Sequence, residues 1–478
     1  MIEARAYPAI APAENRSPIR SVGIGLAVGL SVVVVAALCF GGNAQLLRGA
    51  IPIAALLVAL ALYFIKPVLY IQYSLWVWFL APLARRIVDW QFGYADPNLV
   101  LLAPFLVSGI AGLTLVLPGR RKNTGIPAVF VLCSTAILYG FVVGVVVRPS
   151  AETVYGLLNW LCPLLFGVHI YSNWPSYEEH RRAISRTLLW ALLILGIYGI
   201  YQFFMPPTWD RVWLENGSIG QISPSFGQPE PLRVRVWSTM NSPAPFANAM
   251  MAGLLLLLMI RSTLKLPAAV AGYLAFLLSM VRTAWLGWLI GFFLMLKNIN
   301  PRVIIRIFLS AVVLLVCLLP LLNDPRLATV IGDRVKTFTD LGHDESFGDR
   351  LEMYRVLVND AAGNPFGHGL KNLEVSHGIP VDSGILVTVF SLGWLGTLLY
   401  ALGITSLFLK KEPRPEMHDE FYKAGKAIVI AMLAQLIGAN IFVNVTGAIF
   451  WTFTGMRLAA SPYHAQERAG PNKLQPSD

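Results

Sequence analysis

The chain has 478 residues, of which 56% are hydrophobic and 13% charged, and it carries a formal net charge of +11. That balance excludes a soluble enzyme of this length, because apolar runs of about 20 residues, each enough to cross about 30 Å of hydrocarbon, recur along it. A nucleic-acid-binding domain is excluded as well, since the basic residues are spread over many connectors and not gathered on one unit.

Residues 1–20 read as a polar cytoplasmic tail of disordered composition. The first apolar run, 22–40, follows Arg16 and Arg20 as a signal sequence would. No small-x-small cleavage site ends it, and Leu38 before Cys39 argues against lipoprotein processing, so it is expected to be a retained anchor. Further runs lie at 46–65, 68–82, 98–117, 126–147, 154–171 and 186–204, completing an N-terminal membrane unit over 21–204. A loop at 205–243 separates it from runs at 244–260, 266–280, 283–297 and 303–322 within 244–322. A long polar loop covers 323–381, runs at 383–409, 424–443 and 445–459 fill 382–460, and 461–478 is a second cytoplasmic tail.

These runs predict an all-α polytopic membrane protein with roughly 12–14 transmembrane helices. They are continuous and not alternating, which excludes a barrel. With the N-terminus inside, about 23 of the 37 basic residues fall on inner segments, so both termini are expected in the cytoplasm and both loops on the outer face. The four cysteines, Cys39, Cys133, Cys162 and Cys317, all lie in apolar runs without C-x-x-C spacing, so neither a disulfide frame nor a zinc site is expected.

The loop at 205–243 carries Arg211, Arg233 and Arg235 among Trp209, Trp213 and Trp237. Its proline and glycine content argues against a regular helix. Trp213 and Trp237 are candidate sugar contacts or plain interface anchors. Arg233 and Arg235 flank Val234, so an extended chain points them the same way, either as solvated charges or as forks for a phosphate. Arg282 stands in the break between two apolar runs at the outer face, where it either snorkels or marks a site.

A loop as long as 323–381 needs a functional reason. Ser346 and Asp349 form a capping box, and Leu351, Tyr354, Leu357, Val358 and Ala361 share one face of a short helix that Gly363-Asn364-Pro365 ends. Arg350 lies in its first turn and Arg355 on another face. Gly363, Gly367 and Gly369 could let backbone amides approach an anion. Asp382 opens the next run, as an N-cap or as a base.

Three patches together resemble the O-antigen ligase and O-antigen polymerase superfamily of bacterial inner-membrane proteins. They are Arg235 to Ala247 (RVWSTMNSPAPFA), Ser279 to Trp288 (SMVRTAWLGW), and Asp349 to Gly396 with its NPFGHG turn and Gly393-x-x-Gly396. The resemblance covers the C-terminal half. It implies glycosyl transfer at the outer face of the inner membrane from an undecaprenyl-diphosphate-linked oligosaccharide to a sugar hydroxyl, without metal or cofactor. By the same resemblance Arg235, Arg282 and Arg350, with Arg233 and Arg355 behind them, would hold the diphosphate. Asp382 or His377 would accept the hydroxyl proton. This chain has Val381-Asp382 where the ligases carry His-Asn, which tilts the expectation to an O-antigen or exopolysaccharide polymerase over a ligase using lipid A core. A lipid-linked oligosaccharide flippase stands as the alternative from another class, disfavoured by spans nearly free of charge. Expected partners are the lipid-linked glycan, the bilayer, and a chain-length regulator or export complex, with no nucleic acid.

Overall fold

The structure, a computed structural model, describes residues 44–117, 125–147, 149–216, 226–296, 358–359, 363–370, 383–409 and 419–469. Among them the chain is all-α, and its one β contact is an isolated antiparallel bridge between Gly227 and Val234. The helices are α1 (Ala44–Ile65), α2 (Pro67–Phe92), α3 (Leu99–Val116, partly 3-10), α4 (Ala128–Val147), α5 (Ala151–Ser172) and α6 (Tyr177–Phe204). Then come α7 (Thr208–Asn216), α8 (Pro243–Leu257), α9 (Lys265–Leu278), α10 (Arg282–Leu296), α11 (Gly384–Leu409), α12 (Glu420–Leu433) and α13 (Asn444–Ala469). Seven described stretches are long and apolar enough to cross a membrane, and α8, α9 and α10 are shorter apolar helices. The chain is thus a multi-pass all-α membrane protein. The expected spans 22–40 and 303–322 lie outside the described residues.

Three boundaries differ from the sequence reading. The run expected to stop at 82 continues as α2 to Phe92, through Arg85, Arg86 and Asp89. Those charges have buried partners, so the helix does not have to end where they begin. The loop after residue 204 contains a regular helix, α7, because its prolines, Pro206 and Pro207, precede the helix and its glycines follow it. The run expected to continue to 443 stops short, and a break over 438–443 separates α12 with its 3-10 turn (Ala434–Ile437) from α13.

Small residues let the helices approach closely. A Cβ on Gly167 of α5 would stand 2.7 Å from the Trp451 carbonyl of α13, and one on Gly196 of α6 would meet the Ala271 backbone of α9 at 2.8 Å. Gly199, one turn further along α6, leaves room for the Val236 side chain. The α6–α9 pair therefore carries the C-terminal part of the 205–243 loop on one end.

Candidate active site

The base of the first loop is built around Arg86. Its side chain is fully buried; Nη1 pairs with Asp210 Oδ1 of α7 at 2.7 Å, and Nη2 donates to the Ser238 carbonyl at 2.7 Å. The guanidinium carbon lies 5.9 Å from the ring centroids of both Trp213 and Trp237. Gln202 of α6 donates to Asp210 Oδ2 and accepts from the amides of Trp237 and Ser238. Tyr198 also donates to Asp210. Burial pushes the Asp210 carboxyl up from its ordinary value, while Arg86, Gln202 and Tyr198 pull the other way.

Trp213 and Trp237, expected as sugar contacts, are buried, with Phe226 packed edge-on against both. Their faces serve Arg86, and in this conformation neither is offered to solvent. The sequence reading also missed a neighbouring cluster: Asp89 accepts from Arg48, Arg85 and Asn98. The signal was present in the Arg85-Arg86 doublet and in the four-residue spacing of Arg85 and Asp89. The N-terminal helices are therefore not charge-free, which removes one argument that had set this protein apart from transporters.

Arg233 and Arg235 part company. Arg233 is exposed and binds Glu230 and Gln228, its near neighbours in the turn. Arg235 is half-buried and reaches across to α9, where Nη2 donates to the Met280 carbonyl at 3.0 Å and Nε to the Ser279 carbonyl at 3.4 Å. The Val236 amide adds a bond to the Leu278 carbonyl. Arg235 is thereby fixed on the α9–α10 break, at the point where Arg282 begins α10. Met280, whose carbonyl receives Arg235, has φ +53, a left-handed conformation costly for a side chain of this kind.

The same break touches the last part of the fold. Thr283 packs on Gly438, where a Cβ would come within 2.8 Å of Thr283 Cγ2. Gly384, the first residue of α11, packs on the Ala439 carbonyl. Arg235, Arg282, the 438–443 break and the start of α11 are thus contiguous. Ser383 is the first described residue of that start and is buried. Asp382, which precedes it, lies outside the described residues, as do His377, Arg350, Arg355 and the capping-box helix.

The NPFGHG turn is described, and its amides do not face an anion. His368 N donates to the Phe390 carbonyl, Gly369 N to the Ser391 carbonyl, and Gly367 N to the Asn364 carbonyl. The turn fits the kink of α11 at Gly393 (φ +64), whose Trp394 amide returns a bond to the Pro365 carbonyl. Gly367 and Gly393 press against each other, and Gly369 against Gly144 of α4. These glycines serve backbone packing: they lock the turn at residues 364–370 between α4, α5 and the kinked helix. His368 stacks on Phe390 at 4.1 Å.

Residues 266–401 match the family model described as O-Antigen ligase. The match covers α9, α10, the large loop and most of α11, and it supports the O-antigen ligase and polymerase superfamily read from the sequence. No curated protein matches the chain. The match supports a ligase- or polymerase-type function and does not separate the two.

Proposed function

We propose that this protein is a glycosyltransferase of the outer face of the bacterial inner membrane, and specifically a polymerase that lengthens a polysaccharide from undecaprenyl-diphosphate-linked repeat units. The observation that carries it is Arg235, fixed on the α9–α10 break beside Arg282, within the outer cluster that the matched segment helps to build. In the reaction an acceptor sugar hydroxyl attacks the anomeric carbon of the donor, and the bond from that carbon to the diphosphate oxygen breaks. The hydroxyl proton passes to Asp382 or His377. Negative charge grows on the leaving diphosphate, and permanently charged guanidinium forks suit that charge. Arg235, Arg282 and Arg350 fill this role, with Arg233 and Arg355 on the periphery. The departing diphosphate supplies the driving force, so neither nucleotide nor metal is required.

The match to an O-Antigen ligase family favours one second reading, a ligase that transfers the finished glycan to lipid A core. One assay separates the two. The purified protein in nanodiscs is given undecaprenyl-diphosphate-linked repeat units without nucleotide, and the products are resolved on a gel. A ladder of longer glycans supports the polymerase. Transfer that needs added lipid A core supports the ligase. Lipid-linked glycan crossing the bilayer with no transfer overturns both in favour of a transporter.

A further inference from the structure

The Arg86–Asp210 pair stands outside the matched segment and touches neither Arg235 nor Arg282 by any contact described above. A fully buried ion pair is an expensive feature, because both ions lose their water, and apolar residues of similar volume often do as well for stability. Its geometry shows what it holds. Arg86 donates to the Ser238 carbonyl, and Asp210 is gripped by Gln202, whose own carbonyl oxygen accepts both the Trp237 and Ser238 amides at 3.1 and 2.8 Å. Ser238 Oγ donates to the Leu195 carbonyl, and Thr239 Oγ1 to the Phe79 carbonyl of α2.

Residues 237–239 are therefore pinned by two helices of the N-terminal half and by the buried pair. Ser238 sits at φ +52, and Leu232, on the other side of Arg235, at φ +67. Left-handed non-glycine residues persist only where surrounding contacts dictate them, and here they bracket the arginine that crosses to Met280. Val236 adds a buried side chain against Gly199 and an amide bonded to Leu278.

We propose that Arg86 and Asp210 are positioning residues: they clamp the strained 236–239 backbone so that Arg235 is delivered to the α9–α10 break. Through this clamp the N-terminal half sets the geometry of the diphosphate site. The inference rests on the glycosyl-transfer reading for its kinetic consequence only; the clamp itself is a statement about backbone order.

The test uses the full-length protein in nanodiscs with Arg86→Met and Asp210→Leu combined, which removes both charges and leaves no buried ion alone. The expected result has three parts. The double variant melts close to wild type, its Trp237 and Ser238 amides exchange at least tenfold faster with deuterium, and kcat for glycan extension falls about 100-fold with little change in the donor KM. Arg86→Lys, which keeps charge but has no fork to bridge Asp210 and Ser238, falls between. Amides that remain protected overturn the clamp, whatever the activity does. Faster amides with undiminished kcat overturn the link to Arg235. If wild type itself transfers no glycan, the transfer reading fails while the exchange data still decide the clamp. Should the double variant not insert, Gln202→Met removes the acceptor of the same two amides and is read in the same way.

Discussion

Two sets of arginines occupy one end of this bundle, and their partners differ. In the N-terminal half, Arg48, Arg85 and Arg86 each meet a carboxylate, at Asp89 or Asp210, and all are largely or wholly buried. At the α9–α10 break, Arg235 is held by the carbonyl oxygens of Ser279 and Met280. The carboxylates neutralise the first set inside the protein, and the carbonyls of Ser279 and Met280 fix the direction of the Arg235 fork. The first arrangement builds a rigid frame; the second aims a guanidinium at the α9–α10 break. Residue type does not distinguish them; the groups that hold each guanidinium do.

Removing the wrong arginine should therefore break different things. Arg282→Ala is expected to lower glycan transfer by a factor of about 100 to 1000 while the protein remains folded and inserted, the loss typical of deleting one transition-state donor. Normal transfer rates in inserted protein would contradict this. Arg86→Ala is the opposite case, because it strands Asp210 in the interior. A stability loss of about 3–5 kcal/mol is expected, seen as a large drop in melting temperature in detergent, with Arg235→Ala changing melting far less. Equal melting of the two variants would erase the distinction between frame and site.

Gly393→Ala should cost about 1–3 kcal/mol, because φ +64 is strained for any side chain and the added Cβ meets the Pro365–Gly367 turn. Arg233→Ala sets the lower end. Its ion pair with Glu230 is exposed on both sides, so a stability change of about 0–1 kcal/mol and a modest kinetic effect are expected.

The contact between α12 and the end of α13 gives a prediction in pH. Asp419 caps α12 and accepts from Tyr177 at 2.6 Å and from His464 at 3.0 Å, and His464 also meets Glu467. Burial works against the charged form of His464, but hydrogen bonds to Asp419 and Glu467 outweigh it and raise its pKa. Burial likewise opposes the Asp419 charge, yet hydrogen bonds from Tyr177, His464 and the Tyr422 amide bring its pKa below the ordinary value. The stabilisation from His464 is full below its ordinary value of 6.5 and fades as pH rises through its raised folded value. That from Asp419 is present above its ordinary value of 3.8 and is lost as pH falls through its lowered one. Melting temperature should thus decline on the alkaline side of the histidine range, and His464→Gln should flatten that decline.

Much of the fold was legible because lipid imposes a simple rule: backbone that crosses it must be helical, and apolar length reveals where. What stayed hidden depended on partners far away in sequence. α2 continues past residue 82 because Asp210, 124 residues on from Arg86, neutralises it. Trp213 and Trp237 read as sugar platforms or interface anchors, and nothing local announces that both rings pack beside a buried guanidinium. The NPFGHG glycines read as an anion cradle, but the Gly367 amide is used by Asn364 within the turn and the Gly369 amide by Ser391 across a kink that only the fold creates. Arg235 and Arg282, by contrast, were found as candidates, since their breaks and spacing are local features. That Arg235 parts from Arg233 was not visible, because it follows from the Leu232 and Ser238 backbone conformations.

The most direct measurement is glycan extension by the reconstituted protein from undecaprenyl-diphosphate-linked repeat units, comparing Arg235→Ala with Arg233→Ala two residues away. A ladder that is lost in Arg235→Ala and kept in Arg233→Ala is the predicted result, since only Arg235 is anchored on the α9–α10 break. Equal ladders from the two variants would contradict the assignment of the diphosphate site to that break.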